Sequence, residues 1–324
     1  RYLLMKDKSF DPVMRAAADQ SCVVPFYLTG EVASQSAPLI RGRLARLFSP
    51  AASILDRHAY PDNVSEVCAE MMGLAACLST TLKFEGVFTV QAKGDGAVKT
   101  LFADVTSDGH IRSYAAFDDQ QVAQLNTSGS AVLPRLMGAG HVAFTVDQAA
   151  PNGGFAHRYQ GIVELEGPHL GHCAVTWFKN SEQLAANVIT VAQKTASGWQ
   201  SAALFLQQIA EEGGHDFLKR SAASLEDEWH TAMVLMSSAQ KAELLDATLR
   251  PDELLFRLFH ANGLHIQPFR PMSDHCRCSA EKVESMLQSL SPEQRIDMSD
   301  ETGHLVVNCE FCKTTRSYHS QYFS

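Results

Sequence analysis

The sequence has no long hydrophobic run and no excess of positive charge. No stretch approaches the roughly 18 consecutive apolar residues of a membrane-spanning helix, so we expect no membrane segment. Residues 1–8 carry too much charge for a secretory signal. The 27 basic residues are outnumbered by 36 acidic ones, which gives a net charge of −9. Because nucleic-acid-binding proteins usually present a basic surface, this balance argues against a nucleic-acid partner.

The common catalytic motifs are missing as well. The chain contains no P-loop, no HExxH signature and no serine nucleophile elbow. Its Gly94-Asp95-Gly96 segment lies between two strand-like stretches and lacks the spacing of a phosphate-binding loop, so it predicts a hairpin turn. We therefore expect a protein that is not an enzyme.

The chain does contain two close pairs of cysteines near its C-terminus. Cys276 and Cys278 form a CxC motif, and Cys309 and Cys312 form a CxxC motif. Zinc is commonly held by four thiolates at about 2.3 Å, and two local pairs make such a site easy to assemble. In an extended segment residues i and i+2 point to the same side, so both sulfurs of the CxC motif can face one metal. The pattern predicts one zinc per chain, bound by these four cysteines.

The other candidate ligands give weaker signals. Four cysteines occur singly in apolar surroundings and are expected to be buried bystanders: Cys22, Cys68, Cys77 and Cys173. His275 and His319 flank the paired cysteines, but four thiolates already complete a tetrahedron, so neither histidine is expected to be a ligand. Eight cysteines in a chain without a secretory signal predict a reducing compartment, the cytoplasm, with metal or redox use of the paired ones.

The first two thirds of the chain mix helix and strand patterns. An apolar stripe with helical spacing, preceded by a capping pattern at Asn63, predicts a helix that extends to Leu82. Runs rich in β-branched and aromatic residues predict strands. These strands cover residues 87–90, 98–105, 111–115, 141–146, 159–165, 187–192 and 202–206, and residues 170–177 have helical spacing. The mixture predicts an α+β domain over residues 1–211, in which residues 10–28 have no assignment.

Strand patterns stop at the Glu-Glu-Gly-Gly segment of residues 211–214. Residues 212–265 are predicted to be a linker of short helices. A capping pattern at Ser224 marks one helix, and Pro251 and Gly263 fit the start and the end of another. Short helices are marginally stable alone, so their apolar stripes need a partner. The stripes are Leu225, Trp229 and Met233, then Leu254, Leu258 and Phe259.

We expect both stripes to pack on the N-terminal α+β domain. The remaining residues, 266–324, form a small zinc module that contains the four paired cysteines. A helix near residues 281–290 and a turn at Thr302-Gly303 are predicted within it.

Several segments outside the cysteines carry a recognisable family pattern. They are Thr81-Leu82-Lys83-Phe84-Glu85-Gly86, Val90-Gln91-Ala92-Lys93-Gly94-Asp95-Gly96, Tyr159-Gln160-Gly161-Ile162-Val163, Ser181-Glu182-Gln183-Leu184 and Leu254-Leu255-Phe256-Arg257-Leu258-Phe259. With the two cysteine motifs, they make the chain resemble the redox-regulated 33 kDa heat-shock chaperones, the 33 kDa chaperonins, over most of its length. Ala97 and Lys313 are departures, because such chains usually carry Pro at the first position and Asn or Gly at the second. Residues 185–194 match poorly.

The resemblance implies an ATP-independent holdase that binds unfolded or aggregation-prone proteins under oxidative stress. When reduced, such a protein binds zinc and is inactive. Oxidants form the disulfides Cys276–Cys278 and Cys309–Cys312, release zinc, unfold the linker and expose a surface for unfolded proteins. The active form that the resemblance implies is a homodimer.

Two other classes of protein compete with this interpretation. A zinc-ribbon module that recruits a partner protein or nucleic acid would use the metal only structurally, and the acidic charge and the whole-chain resemblance count against it. A thiol oxidoreductase would use Cys309 and Cys312 catalytically, but the thioredoxin-like βαβ pattern is missing.

Overall fold

The computed structural model describes most of the chain. The described residues are 15–30, 38–81, 85–125, 132–150, 154–181, 183–209 and 222–323. They form a mixed α+β structure, which confirms the predicted fold class. Within these ranges no helix combines the length and the apolar character needed to cross a membrane.

Strands and helices alternate irregularly along the described chain. The strands are β1 (Cys22–Leu28), β2 (Ile40–Leu47), β3 (Gly86–Gly94), β4 (Val98–Thr106), β5 (His110–Phe117), β6 (Gly140–Ala149), β7 (Phe155–Glu164), β8 (Ala186–Thr195), β9 (Gly198–Gln208), β10 (Leu264–Ile266), β11 (Arg270–Pro271), β12 (Ser273–Asp274), β13 (His304–Asn308) and β14 (Thr315–His319). The helices are α1 (Ser49–His58), α2 (Asp62–Leu78), α3 (Asp119–Gln124), α4 (Val132–Met137), α5 (Leu170–Ser181), α6 (Ala222–Ser238), α7 (Lys241–Leu244), α8 (Pro251–Phe259), α9 (Ala280–Gln288) and α10 (Pro292–Asp297). Short 3-10 helices follow at His260–Asn262 and Ser320–Phe323.

The strands form two six-stranded sheets and one hairpin. The first sheet has the order β10-β1-β2-β9-β8, with β11 also paired to β1, and all of its pairs are antiparallel. The second sheet has the order β12-β5-β4-β3-β6-β7 and is antiparallel except between β12 and β5. Strands β13 and β14 form the separate hairpin.

The main hydrophobic core lies between the two sheets, around helix α2. Every residue of α2 from Met71 to Leu78 is buried, as expected for a helix that is covered on all sides. The same cluster of buried side chains includes Phe88 of the second sheet and Phe205 of the first. At Gly73 an added Cβ would lie 2.5 Å from Ser201 Oγ, so glycine allows α2 to approach β9 closely.

A second core covers the opposite face of the first sheet. Helices α6, α7 and α8 supply one side of it, and β1, β2 and β9 supply the other. Leu254, Leu258 and Phe259 are buried there, while Trp229 and Met233 pack against the cluster with partial exposure. The expected packing on the N-terminal sheet is therefore confirmed for these five residues, while Leu225 of the first stripe is not part of the cluster.

A buried arginine fixes these helices to the sheet. Arg46 of β2 is fully buried and donates to backbone carbonyl oxygens of Leu244 (2.9 Å), Leu249 (2.6 Å) and Asp246. Burial lowers the pKa of its guanidinium to about 10, partly offset by the thiol of Cys22 and by Asp246. The guanidinium thus neutralises the partial negative charges of carbonyl oxygens in a distant turn. Leu244 of this turn is 198 residues away from Arg46 in the sequence.

The chain then crosses from the first sheet to the second. After α8, β10 and β11 pair with β1, and β12 pairs with β5. The predicted linker end at residue 265 lies inside β10, and the predicted boundary at residues 211–212 lies outside the described residues. The division into 1–211, 212–265 and 266–324 therefore stays a prediction.

Most other predicted elements are confirmed. Strands β3 to β9 and helix α5 lie where the patterns place them. Helix α8 begins at Pro251, and Gly263 follows it with a φ of 65°. Helix α9, capped by Ser279, corresponds to the predicted helix at 281–290. Of the residues used above, residues 1–8, Leu82, Lys83, Phe84, Glu182 and residues 211–214 lie outside the described residues.

Two predicted helix starts are wrong. Helix α2 begins at Asp62 after Pro61, and Asn63 lies inside it, where its side chain accepts from the Val64 N–H instead of capping the helix. Ser224 is not an N-cap, because α6 is already helical at Ala222. The unassigned residues 10–28 contain β1.

Candidate metal centre

The structure brings the four predicted ligands together. The sulfur atoms of Cys276, Cys278, Cys309 and Cys312 all lie within 4.8 Å of one another. Cys276 Sγ is 3.6 Å from Cys309 Sγ, and Cys278 Sγ is 3.4 Å from Cys312 Sγ. A tetrahedron with metal–sulfur bonds of about 2.3 Å separates its sulfurs by about 3.8 Å. The spacing and the donor set therefore suit one thiophilic metal ion.

The first pair lies in the extended segment between β12 and α9. The His275 N–H donates to Ile111 O at 3.1 Å, which continues the alignment with β5 up to Cys276. Beyond Cys278, the Ser279 hydroxyl accepts from the Lys282 N–H and caps α9. The chain is thus held at both ends of the motif, and both sulfurs reach the same cluster.

The second pair lies in the turn of the β13–β14 hairpin. The Cys309 N–H donates to Thr314 O (3.0 Å), and the Lys313 N–H donates to Cys309 O (2.8 Å), which closes the turn around Cys312. Lys313 has a φ of 56°, in the left-handed region that favours Gly or Asn. This backbone requirement gives a physical reason for the Asn or Gly that the resemblance leads us to expect at this position.

The pKa shifts of the clustered thiols differ in direction. Burial raises the pKa of Cys276 to about 12 and also raises that of Cys278. At Cys312 burial is the largest single effect and raises the pKa, but hydrogen bonds with Thr314 and the other sulfurs outweigh it and lower the pKa to about 6. The guanidinium of Arg316 lies 3.6 Å from Cys278 Sγ, where it stabilises a thiolate.

The other cysteines and the flanking histidines lie outside the cluster. The single cysteines are all buried, and burial raises the pKa of each thiol: Cys22 (to about 12), Cys68 (to about 11), Cys77 (to about 12) and Cys173. His275 packs on His110 at 4.5 Å between ring centroids, and His319 contacts His304 at 5.1 Å. Neither histidine belongs to the four-sulfur group.

The residue between the first two cysteines contacts the second sheet. Arg277 donates from Nη2 to Asp104 Oδ2 at 2.5 Å. Asp104 lies on β4, is only 2% exposed and also accepts three hydrogen bonds from Arg112 of β5. Its guanidinium therefore neutralises a buried carboxylate.

Phe311, between the last two cysteines, contacts the same face. Its ring lies edge-on to Phe102 (5.4 Å between centroids) and Tyr114 (4.9 Å), and the guanidinium carbon of Arg112 is 3.9 Å from its centroid. Arg57 of α1 donates to the Phe311 carbonyl at 3.4 Å. These contacts were not predicted from the sequence. The available signal was an aromatic residue inside a CxxC turn too small to bury it.

Comparison with known proteins identifies a family. The family profile described as Hsp33 protein matches residues 33–319. The 33 kDa chaperonin of Caulobacter vibrioides (strain NA1000 / CB15N) is 32% identical over 280 residues, 84% of this chain and 88% of that protein. The 33 kDa chaperonin of Ectopseudomonas mendocina is 32% identical over 274 residues, 84% of this chain and 86% of that protein.

A solved structure shows the same fold. The crystal structure of a 33 kDa chaperonin (heat shock protein 33 homologue) from Thermotoga maritima superposes with a TM-score of 0.74 at 18% identity, and the match covers 93% of this chain and 96% of that one. The profile match over most of the chain, with relatives at this identity and coverage, establishes common descent. The chain belongs to the Hsp33 family.

Proposed function

We propose that this protein is a redox-regulated, ATP-independent chaperone that holds unfolded proteins when its four paired cysteines are oxidised. The observation that carries the proposal is the cluster of four sulfurs, together with the docking of both cysteine loops on the second sheet. The family profile and the 33 kDa chaperonin name of the relatives support a chaperone. Zinc is the proposed metal because it favours four-thiolate tetrahedral sites.

The metal matters because the segment that carries the cysteines has little core of its own. Within residues 275–323, called the cysteine module below, the buried side chains are Leu287, Leu305 and Arg295. When bound, zinc joins the loop before α9 to the β13–β14 turn and contributes on the order of 10–16 kcal/mol to folding in small zinc domains. Without it the module has no comparable source of stability.

Oxidation removes the ligands. Formation of each disulfide removes two electrons and two protons from a pair of thiols. One molecule of hydrogen peroxide accepts them and becomes two molecules of water. We propose the pairs Cys276–Cys278 and Cys309–Cys312. Bonds within each motif leave the two loops unconnected, whereas Cys276–Cys309 and Cys278–Cys312 bonds would keep them joined and preserve the module.

Loss of the module then frees the surfaces that it holds. The contacts of Arg277 and Phe311 with the second sheet are then lost, and so is the pairing of β12 with β5. Because the chain that follows α8 is no longer held, helices α6 to α8 lose the anchor at their C-terminal end. The second core beneath these helices is apolar, so their departure exposes the kind of surface that binds unfolded chains. Such a switch suits a reducing compartment, the cytoplasm, and we propose a homodimer as the active form.

Three measurements on one sample test this function: bound zinc, disulfide connectivity by peptide mapping, and light scattering of a chemically unfolded enzyme diluted into buffer. Peroxide should release zinc, form the two intramotif disulfides and suppress scattering without ATP, and dithiothreitol with zinc should reverse all three. A recruitment module with structural zinc would stay loaded and leave scattering unchanged. Bonds between the motifs would contradict the proposed pairing.

A further inference from the structure

The outer face of the second sheet carries an aromatic slot under the cysteine module. Phe102 of β4 is directly opposite Tyr114 of β5, and their rings stack at 5.5 Å between centroids. Arg112 lies two residues before Tyr114 and therefore on the same face of the sheet. These three side chains, called the aromatic slot below, surround the ring of Phe311.

We infer that the aromatic slot is a binding subsite for an aromatic side chain of an unfolded polypeptide, and that Phe311 fills it while the module is docked. This inference rests on the proposed chaperone function, because it needs both an unfolded partner and a module that leaves. It adds the location of a client contact and the side-chain class that it accepts.

The chemistry of the slot favours an aromatic ring over an aliphatic side chain. The guanidinium of Arg112 lies over the ring of Phe311, which is the geometry of a cation–π contact. Phe102 and Tyr114 meet the same ring at interplanar angles of 69° and 88°, the edge-to-face arrangement that aromatic pairs prefer. A leucine in the same place would keep the apolar contact and lose both of these interactions.

The present occupant uses only features that any unfolded chain offers. Phe311 engages the slot through one side chain and through one backbone carbonyl, which accepts from Arg57. Among the described residues, Phe311 makes the hydrogen bond to α1 and the ring contacts to the second sheet that join residues 279–323 to the rest of the chain. The occupant is therefore replaceable once the four-sulfur site no longer holds its turn.

The charge beside the slot adds a second preference. Asp104 is held by Arg112 and Arg277, and it loses the second partner when the module leaves. A lysine or arginine next to the aromatic residue of the incoming chain can replace Arg277, because a carboxylate this well buried needs its charge neutralised. The slot thus selects an aromatic residue that is followed or preceded by a basic one.

Fluorescence anisotropy with short, labelled, Gly/Ser-rich peptides tests the inference on the full chain. The probes contain one Phe-Arg, one Leu-Arg or one Ala-Arg pair. Oxidised protein should bind the Phe-Arg peptide about three- to ten-fold more tightly than the Leu-Arg peptide, the range expected for loss of aromatic and cation–π contacts. Tyr114→Ala should remove this preference.

Ile162→Ala is the matched control. Ile162 is 60% exposed on β7 and lies in the same cross-strand row as Phe102, through Ala143 and Gln91. This variant should keep the preference. Phe311→Ala gives an independent readout that does not depend on folding of the Tyr114 variant. With zinc retained and the protein reduced, it should bind the Phe-Arg peptide while the wild type does not.

The outcomes separate this inference from the proposed function. Equal affinity for the Phe-Arg and Leu-Arg peptides, or an unchanged preference in Tyr114→Ala, overturns the inference that the aromatic slot binds clients. If the oxidised wild type still suppresses aggregation in that case, the proposed chaperone function stands. Failure of the reduced, zinc-loaded Phe311→Ala variant to bind the Phe-Arg peptide also overturns it. Oxidised wild type that neither suppresses aggregation nor binds any peptide overturns the proposed function itself.

Discussion

Arg277, which lies between two of the four clustered cysteines, donates to Asp104 of β4 at 2.5 Å. The carboxylate is almost fully buried, and Arg112 holds it from the other side. This ion pair holds the CxC loop on the second sheet, because water cannot easily solvate the buried carboxylate in place of Arg277. The four-cysteine cluster and the second sheet are therefore joined by an ionic contact.

Removal of this contact should loosen the module without dismantling the sheet. In Arg277→Ala, Asp104 keeps Arg112, and we expect a loss of about 1–3 kcal/mol in stability of the docked module, as for a hydrogen bond to a charged group. Zinc stoichiometry should stay the same, while a colorimetric chelator should remove zinc faster. Urea unfolding and chelation kinetics measure the two effects.

A lysine of the same module provides the control for Arg277. Lys313 pairs with Glu310 at 2.9 Å on the surface, and exposed pairs of this type contribute little. Lys313→Ala should shift stability by no more than about 0.5 kcal/mol. If both variants release zinc at the same rate, the Arg277–Asp104 contact does not hold the module.

The four paired cysteines alone should determine metal binding. Reduced protein is expected to contain about one zinc per chain, as a single four-thiolate site requires. Cys309→Ser combined with Cys312→Ser should abolish it. The matched variant replaces the buried cysteines by alanine (Cys22, Cys68, Cys77 and Cys173) and should keep zinc and oxidative activation. Loss of activation in that variant, if it is folded, would place a buried thiol in the switch.

The buried guanidinium of Arg46 should be needed to keep helices α6 to α8 on the sheet. Arg46→Met leaves the carbonyls of Leu244, Asp246 and Leu249 without their donor, which costs about 3 kcal/mol or more. We expect a reduced, zinc-loaded protein that already suppresses part of the aggregation of an unfolded enzyme. Light scattering with zinc analysis on the same preparation measures this.

The neighbouring arginine on the same strand separates docking from general stability. Arg43 donates to Thr80 O at the end of α2, on the opposite side of the sheet from the linker helices. Arg43→Met removes the same charge and similar hydrogen bonds, so it should lower stability without activity in the reduced state. Equal activity of the two variants would mean that destabilisation alone activates the protein.

Disruption of the apolar face of α8 should have the same effect as substitution of Arg46. Leu258 is 9% exposed in the second core, and Leu258→Asn should weaken the packed state by about 2–5 kcal/mol through lost burial and a poorly accommodated amide. Partial activity in the reduced state is expected again. Phe256→Asn, on the exposed side of the same helix at 41% exposure, should stay inactive until oxidised.

Sequence alone located the four clustered cysteines and most of the second sheet, since both depend on local patterns. A CxC and a CxxC motif define paired thiols without knowledge of the fold, and β3 to β6 show clear β-rich runs bounded by glycine turns. Strand β1 was missed because both of its faces are covered, so it lacks the alternation of a half-buried strand.

The contacts that connect the site to the fold could not be predicted in the same way. Arg277 and Asp104 are 173 residues apart in the sequence, and Arg46 is about 200 residues from the carbonyls that it binds. The Arg277–Asp104 contact depends on β12 joining the second sheet through two residues, a strand too short to have a recognisable period. The contacts of Arg46 depend on the packing of helices α6 to α8 on the first sheet. The residue types show that these positions are charged, but only the topology of the fold shows which groups they pair with.

Amide hydrogen exchange on the reduced, zinc-loaded and the peroxide-oxidised protein tests the central claim most directly. The claim is that loss of the four-thiolate site releases helices α6 to α8 from the first sheet. Protection of amides in residues 222–259 should fall toward that of an unfolded chain on oxidation, while β3, β4 and β6 keep theirs. Equal protection of residues 222–259 in the two forms would contradict the account.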